Sequence, residues 1–336
     1  MITFRDYMES ALYEPGRGYY ERRQVKADFY TAPELHPAFA DGLAREIASR
    51  LDALQARKVP EPYFLVEMGA GDGTLAAQLY RALLRDHGEW ALRLRLILVE
   101  RSEKALIEAV LRVSAAGGKA LGYSKLEDVP PCRGVFLSNE LIDAFPVHLL
   151  EKRDGRVREV YVRQAGDSAW TELGDLSDPE LAGHARAVAP NLPEGARHSV
   201  CLAARRWVRE VARVLEAGTV LTVDYGRRLG KDAPNPPRAY FRHRTGPEVT
   251  ARTGRQDITA SVDFEALIDE GRAAGLSVDE YTTLGRFLLD RGILERLAAP
   301  GADPVASYKE NLRIKTLFHP EGMGDCFKVL IQEKRP

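Results

Sequence analysis

Apolar positions along the chain follow two rhythms. In residues 37–54, Phe39, Leu43, Ile47 and Leu51 recur every fourth position, which places them on one helix face. From Pro62 the pattern changes to short continuous apolar runs, each followed by a polar or glycine-rich stretch and a new helical period. Tyr63 to Met68 predicts a strand buried on both faces; Gly69, Gly71 and Gly73 follow, then an amphipathic helix over residues 74–85. Residues 94–99 predict a second strand ending at Glu100. Ser102 then caps a helix carrying Leu106, Val110 and Val113. Residues 121–123 read as a weak third strand, and residues 134–137 as a fourth that runs into Ser138-Asn-Glu-Leu-Ile-Asp-Ala144.

Further along, Asp154-Gly155 separates two apolar runs at residues 147–152 and 157–162, a hairpin signal. Residues 202–215 predict a helix that ends at Gly218 as a C-cap, and residues 219–223 a fifth strand leading to Asp224-Tyr225-Gly226. Residues 227–262 read as irregular. Helical patterns resume at 263–274, 284–298 and 305–317, and an apolar strand at 327–332 closes the pattern. Alternating strands and helices predict an α/β fold with a parallel sheet covered by helices on both faces. The expected organisation is an N-terminal cap segment at 1–60 and a core at 61–226 with a hairpin inserted near 147–163. An irregular substrate-side insertion at 227–262 follows, and residues 263–336 complete the core. Ligands of such sheets bind beyond the carboxyl ends of the strands, which directs attention to the segments after Met68, Val99, Leu137 and Val223.

Composition narrows the field. Across 336 residues, 45% are hydrophobic and 29% charged, an ordinary globular balance, and the formal charge of −1 provides no general attraction to nucleic acid or membranes. Cys132, Cys201 and Cys326 are widely spaced, and the histidines fit no metal-site pattern, so no metal and no disulfide framework are expected. No secretory leader and no apolar run of about 18 residues appears, so the expectation is a soluble cytoplasmic protein without a membrane partner. Residues 227–255 hold Arg227, Arg228, Lys231, Arg238, Arg242, Arg244, Arg252 and Arg255 against Asp232 and Glu248. That excess suits a solvated loop, an acidic protein surface or RNA phosphates. Nucleic acid is an open but not favoured partner, and the sequence carries no signal for an oligomeric state.

Candidate chemistry concentrates at Glu67-Met-Gly-Ala-Gly-Asp-Gly-Thr74. Its G-x-G-x-G spacing departs from the G-x-G-x-x-G of dinucleotide folds and lacks the Gly-Lys-Ser/Thr of a phosphate loop. It matches the cofactor loop of Rossmann-like S-adenosylmethionine (SAM) enzymes, with Gly69, Ala70, Gly71, Gly73 and Thr74 as contacts. Glu67 suits a cationic ligand such as the methionine amino group, or else a solvated acid. Glu100, at a strand end, suits both hydroxyls of a ribose, and Tyr123 and Ser124 could flank an adenine. Asn139, Glu140 and Asp143 follow the fourth strand as candidate catalytic residues, since paired carboxylates can grip a guanidinium. The alternative reading makes Asn139 a helix cap with the two acids in the first turn.

Seven blocks running in order over nearly the whole chain resemble the MidA-like SAM-dependent methyltransferases, a family that includes a mitochondrial complex I assembly methyltransferase. They are Tyr13-Glu-Pro-Gly-Arg-Gly-Tyr-Tyr20, Asp28-Phe-Tyr-Thr-Ala-Pro-Glu34, Val66 to Leu75, Ser138 to Ala144, Val223-Asp-Tyr-Gly226, Asp257 to Phe264 and Met323 to Leu330. Ala70, Leu141 and Ile142 depart from the family pattern. The resemblance implies a class I methyltransferase fold, a Rossmann-like, seven-stranded, mostly parallel sheet with an elaborated substrate-side region. It also implies SAM at Glu67, Gly69, Gly71, Gly73 and Glu100, and methyl transfer to an arginine nitrogen of a protein. Pro33, Glu34, Asp224, Tyr225, Asp257 and Thr259 fall on the expected substrate side. Methylation of RNA or a small molecule, and a SAM-binding assembly factor without essential transfer, are the competing functions.

Overall fold

Seven strands lie side by side in one sheet. The computed structural model describes residues 1–22, 31–165, 168–242, 244–299 and 303–336; Asp28, Phe29 and Tyr30 of the second sequence block lie outside them. The strands are β1 (Tyr63–Met68), β2 (Arg95–Val99), β3 (Ala120–Tyr123), β4 (Cys132–Asn139), β5 (Leu215–Arg227), β6 (Ser277–Thr283) and β7 (Phe327–Lys334). Their spatial order is β6-β7-β5-β4-β1-β2-β3. The pairs β5–β4, β4–β1, β1–β2 and β2–β3 are parallel, whereas β7 runs antiparallel to both β5 and β6. The chain begins at the centre with β1, moves outward through β2 and β3, then returns to the other flank of β1 as β4. The order therefore reverses between β1 and β4, the position where open α/β sheets leave a crevice for a ligand.

Burial explains why the central strands β1, β2, β4 and β5 are largely apolar. On one face Leu65, Leu98, Leu137, Leu221 and Val329 pack with helices α1 (Ala38–Ala56) and α2 (Thr74–Asp86) in a single core. Val66, Ile97, Phe136, Val220 and Leu330 on the alternate positions are buried as well, as a parallel sheet covered on both sides requires. Ser102 caps α3 (Glu103–Ala115) through its hydroxyl, as its position predicts.

The chain divides into two compact units. One comprises Thr31–Leu141, Val208–Gly226 and Ile268–Pro336 and holds the sheet just described. The other comprises Met1–Tyr30, Ile142–Trp207 and Arg227–Leu267. In it, strands Ile2–Thr3, Arg156–Ala165, His148–Arg153 and Arg197–Val200 form a sheet in that order, with Ser168–Gly174 paired on Arg156–Ala165. The hairpin turn is at Asp154 and Gly155 as expected, with φ of 53° and 71°, the positive values that a tight two-residue turn needs. Phe4, Tyr7, Met8, Leu149, Val160 and Ile258 form the core of this unit.

Three local expectations change. Gly218 is not a helix cap: the helix Leu202–Val214 passes directly into β5, and Gly218 pairs with Gly134 inside the sheet. A Cβ there would lie 1.9 Å from the Gly134 carbonyl oxygen, so the glycine serves close strand approach. The segment expected to be irregular contains a three-stranded sheet, with Arg238–Phe241 between Arg244–Gly246 and Asp257–Thr259. Its strands are only three or four residues long, too short for an alternation to mark them. The helix expected at 284–298 stops at Asp290, because Gly292 turns left-handed (φ 74°) before a short 3₁₀ turn at Ile293–Arg296.

Candidate functional site

The crevice between β1 and β4 is built first by the backbone. After Met68 the chain turns through Gly69, Gly71 and Gly73, all at positive φ, into α2. The Gly69 and Ala70 amides donate to the Val99 carbonyl at 2.8 and 3.2 Å, tying the loop to the end of β2. The Gly71 amide donates to Glu100 Oε2 and the Ser102 amide to Glu100 Oε1, both at 2.9 Å. One carboxylate thus links the glycine loop to the start of α3. The Glu100 amide donates to the Tyr123 carbonyl at 3.0 Å, which sets the end of β3, and with it Tyr123 and Ser124, beside the same crevice. Thr74 is used within the fold: its hydroxyl donates to Asp72 at 2.6 Å and accepts from Arg112 at 2.9 Å.

Several buried polar atoms at these strand ends have no protein partner among the described residues. They are Glu67 Oε2, Ser138 Oγ and Asn139 Oδ1, with Gln78 Oε1 on α2. Glu67 is 5% exposed, and its carboxyl is pushed up to about 8 by burial, reinforced by the charges of Asp72 and Glu100. A buried carboxyl with a vacant oxygen stays protonated near neutrality until a cation arrives. This donor set fits SAM, whose ammonium could be taken by Glu67 and whose ribose hydroxyls by Glu100, while the open space at Gly71 lets the backbone be approached closely. Gln78 and Ser138 were not singled out by sequence. Gln78 lies one turn beyond Thr74 on α2, so helical spacing alone could have pointed to it.

A linkage follows from Glu67. Its folded pKa lies above the ordinary carboxyl value, so the folded protein without ligand holds a proton that a cationic ligand expels. Affinity for SAM should therefore rise with pH between about 6 and 8, and calorimetry in two buffers of different ionisation heat should register proton release. Glu67→Gln should remove that pH dependence and weaken binding. A slope that persists in the variant would assign the proton elsewhere.

Across the crevice, β4 ends at Asn139 and no helix follows; residues 140–146 form bends and turns. The helix-cap reading of Asn139 thus gives way. Glu140 adopts a left-handed conformation, φ 49°, which is uncommon for a residue with a side chain and marks a position held by its surroundings. Its amide donates to the Val223 carbonyl at 3.0 Å, and its carboxylate accepts from the Ala32 amide at 3.2 Å and the Asn139 side-chain amide at 3.3 Å. The Glu140 carboxyl is pushed up to about 8, by burial first, with the Asp224 and Glu34 charges adding to it against those two hydrogen bonds. Asp224 is fully buried near the end of β5, accepting from the Tyr225 amide at 2.8 Å. Tyr225 lies against Phe327, ring centroids 3.8 Å apart.

The remaining candidates sort cleanly. Pro33 and Glu34 are on the short helix Ala32–Leu35, where Glu34 closes a capping box with Thr31 and the Pro33 carbonyl accepts from Gln78 at 3.0 Å. Asp143, Asp257 and Thr259 belong to the other unit. There Asp257 is buried and accepts from the Tyr20 hydroxyl at 3.1 Å, and the Asp143 carbonyl accepts from the Ala260 amide at 3.0 Å. Among the described residues no cluster of His, Cys, Asp or Glu could hold a metal ion, and no helix is long and apolar enough to cross a membrane.

Comparison with known proteins agrees with this geometry. The Methyltransf_28 family of S-adenosyl-L-methionine-dependent methyltransferases matches residues 42–282. A protein from Burkholderia thailandensis, solved bound to S-adenosyl-homocysteine, is 30% identical with a TM-score of 0.83, covering 99% of this chain and 88% of that one. The mitochondrial protein arginine methyltransferase NDUFAF7 of Mus musculus is 28% identical over 97% of this chain and 79% of its own length. The human protein of the same name is 27% identical over 97% and 78%. The family match spans well over half of the chain, and the solved relative holds the demethylated product of SAM, so the chain belongs to the MidA-like family of SAM-dependent methyltransferases and is an enzyme that uses SAM as its methyl donor.

Proposed function

We propose that the enzyme methylates an arginine nitrogen of a protein substrate, with Glu140 and Asp224 holding the guanidinium. The observation that carries this reading is the half-buried carboxyl of Glu140, raised to about 8 by burial and by the neighbouring charges of Asp224 and Glu34. The charges of Glu140, Asp224 and Glu34 repel one another, and a planar cation with several N–H donors relieves that repulsion. The names carried by the mitochondrial relatives support the same acceptor.

SAM, when bound, supplies an electrophilic methyl group on a sulfonium. The chain's own contribution is to orient and to polarise. A guanidinium has a pKa above about 12 and does not surrender its proton to an ordinary base in water. Carboxylates on one edge of it concentrate the positive charge there, which leaves lone-pair density on the remaining nitrogen. Glu140, whose carboxylate accepts from the Ala32 amide and the Asn139 side chain, takes this role. Asp224 supplies a second, fully buried acid. Holding the nitrogen in a near-attack position contributes up to ~7–11 kcal/mol.

The test is to incubate the enzyme and isotope-labelled SAM with a dialysed, methylation-deficient lysate and to analyse protein, RNA and small-molecule fractions separately by mass spectrometry. Label in methylarginine of one or a few proteins is the expected result. Label confined to RNA or to a small metabolite would overturn the acceptor while leaving the SAM chemistry intact.

A further inference from the structure

The unit that lacks the SAM crevice has a cavity of its own. It measures about 50 Å³ and is lined by residues of the helix Leu181–Val188, the strand Arg197–Val200, the start of the helix Leu202–Val214 and residues 230–235 and 260–267. Its walls are held in place: the Ser199 amide donates to the Asn235 carbonyl at 2.8 Å and the Asn235 side chain to the Ser261 carbonyl at 3.0 Å. We propose that this cavity is a binding site for a small oxyanion, a carboxylate or phosphate of a few heavy atoms, held by Arg205, His184 and His198.

Size is the first argument. At ~10–15 Å³ per water-sized centre, 50 Å³ admits about four such centres, which suits phosphate or acetate. The polar lining is the second. His198 is 6% exposed, lines the cavity, and its Nδ1 is buried without a partner among the described residues. His184 and Arg205 line it as well. A guanidinium carries five N–H donors and an imidazole one or two, a donor-rich set that matches an oxyanion. Among the described residues of the lining the one carboxylate, Asp263, is engaged with the backbone: its Oδ1 accepts from the Leu229, Gly230 and Glu265 amides at 3.0, 3.4 and 3.0 Å. Those bonds spread its charge into the loop.

Protonation gives the site a signature. Burial, with His184 adding to it, depresses His198 to about 4, so its ring is neutral near pH 7. An anion bound in this cavity, whose charged and titratable lining groups are His184, His198, Arg205 and Asp263, favours the charged imidazole, so binding takes up a proton and strengthens as pH falls.

The test is an NMR titration of the imidazole C–H signals in the full chain. Inorganic phosphate and acetate are added in separate arms at pH 6 and 7.5, with sodium chloride at matched ionic strength as control. Saturable shifts of the His198 and His184 signals, with affinity at least threefold higher at pH 6, are expected. Saturation by phosphate alone would define a phosphoryl site, and saturation by both a general oxyanion site. Arg205→Gln, at a half-buried position, should weaken the response at least tenfold without altering SAM affinity or folding. His198→Gln should abolish the His184 response, and if it fails to fold, Arg205→Gln still decides. Shifts that only track chloride, or an unchanged affinity in Arg205→Gln, would overturn the proposal.

Discussion

Glu140→Gln is expected to bind SAM as the wild type does, within about twofold, while methyl transfer falls about a hundred- to a thousand-fold, the usual loss when one preorganised electrostatic contact is removed. The substitution preserves shape. A glutamine oxygen still accepts from the Ala32 amide, and the left-handed backbone at position 140 is no harder for Gln than for Glu. What disappears is a negative charge that burial and Asp224 already oppose. The resting protein should consequently melt at the same temperature or slightly higher. This sign separates a functional acid from a structural one, because removing a merely stabilising carboxylate would lower the melting temperature. The pH profile adds a second readout. With SAM saturating, kcat/KM for the acceptor should rise with pH along a limb at or somewhat below pH 8, since a nearby bound cation lowers the Glu140 pKa, and Glu140→Gln should flatten that limb. Undiminished turnover in the variant would remove Glu140 from the reaction.

How much of this site could be read in advance depends on how local each signal is. The β1–loop–α2 unit was legible because a continuous apolar run, three alternating glycines and an amphipathic helix occur within 24 residues. The hairpin at Asp154-Gly155 was legible for the same reason. The acid at position 100 followed from the rule that strand ends carry the ligand contacts. The partners of Glu140 were not legible. Asp224 and Ala32 meet it from 84 and 108 residues away, and no periodicity records such a meeting. The sequence pairs Glu140 with Asp143, whereas the acids whose charges raise Glu140 are Asp224 and Glu34, and Asp143 belongs to the other unit. Hidden too was the division of the chain, because each unit gathers three separate stretches and hydrophobic patterns identify elements without saying which core they join. The short strands Arg238–Phe241 and Asp257–Thr259 escaped notice because four and three residues are too few to display an alternation.

Gly71 and Gly73, two residues apart in one motif, should respond to substitution in opposite ways. Gly71 has φ 53°, and a Cβ built on it meets nothing within 4 Å. Gly71→Val therefore does not collide with the protein. It incurs a left-handed backbone penalty, on the order of 1–2 kcal/mol and somewhat more for a β-branched side chain, and projects two methyl groups beside the amide that donates to Glu100. Its expected effect is a loss of SAM affinity of at least about a hundredfold, with a cooperative melting transition lowered only by a few degrees. Gly73 caps α2 at φ 78°, and a Cβ there would lie 2.5 Å from the Ala109 Cα on α3. Gly73→Ala must push two packed helices apart, so the expected effect is a large fall in melting temperature, with cofactor affinity declining as a consequence. Calorimetry with S-adenosylhomocysteine alongside thermal denaturation distinguishes the two. If Gly71→Val keeps its affinity within threefold, the cofactor does not approach the loop at that residue, and assignment of the crevice to SAM would fail. If Gly73→Ala melts like the wild type, α2 and α3 are not in the close contact from which the motif's last glycine derives its role.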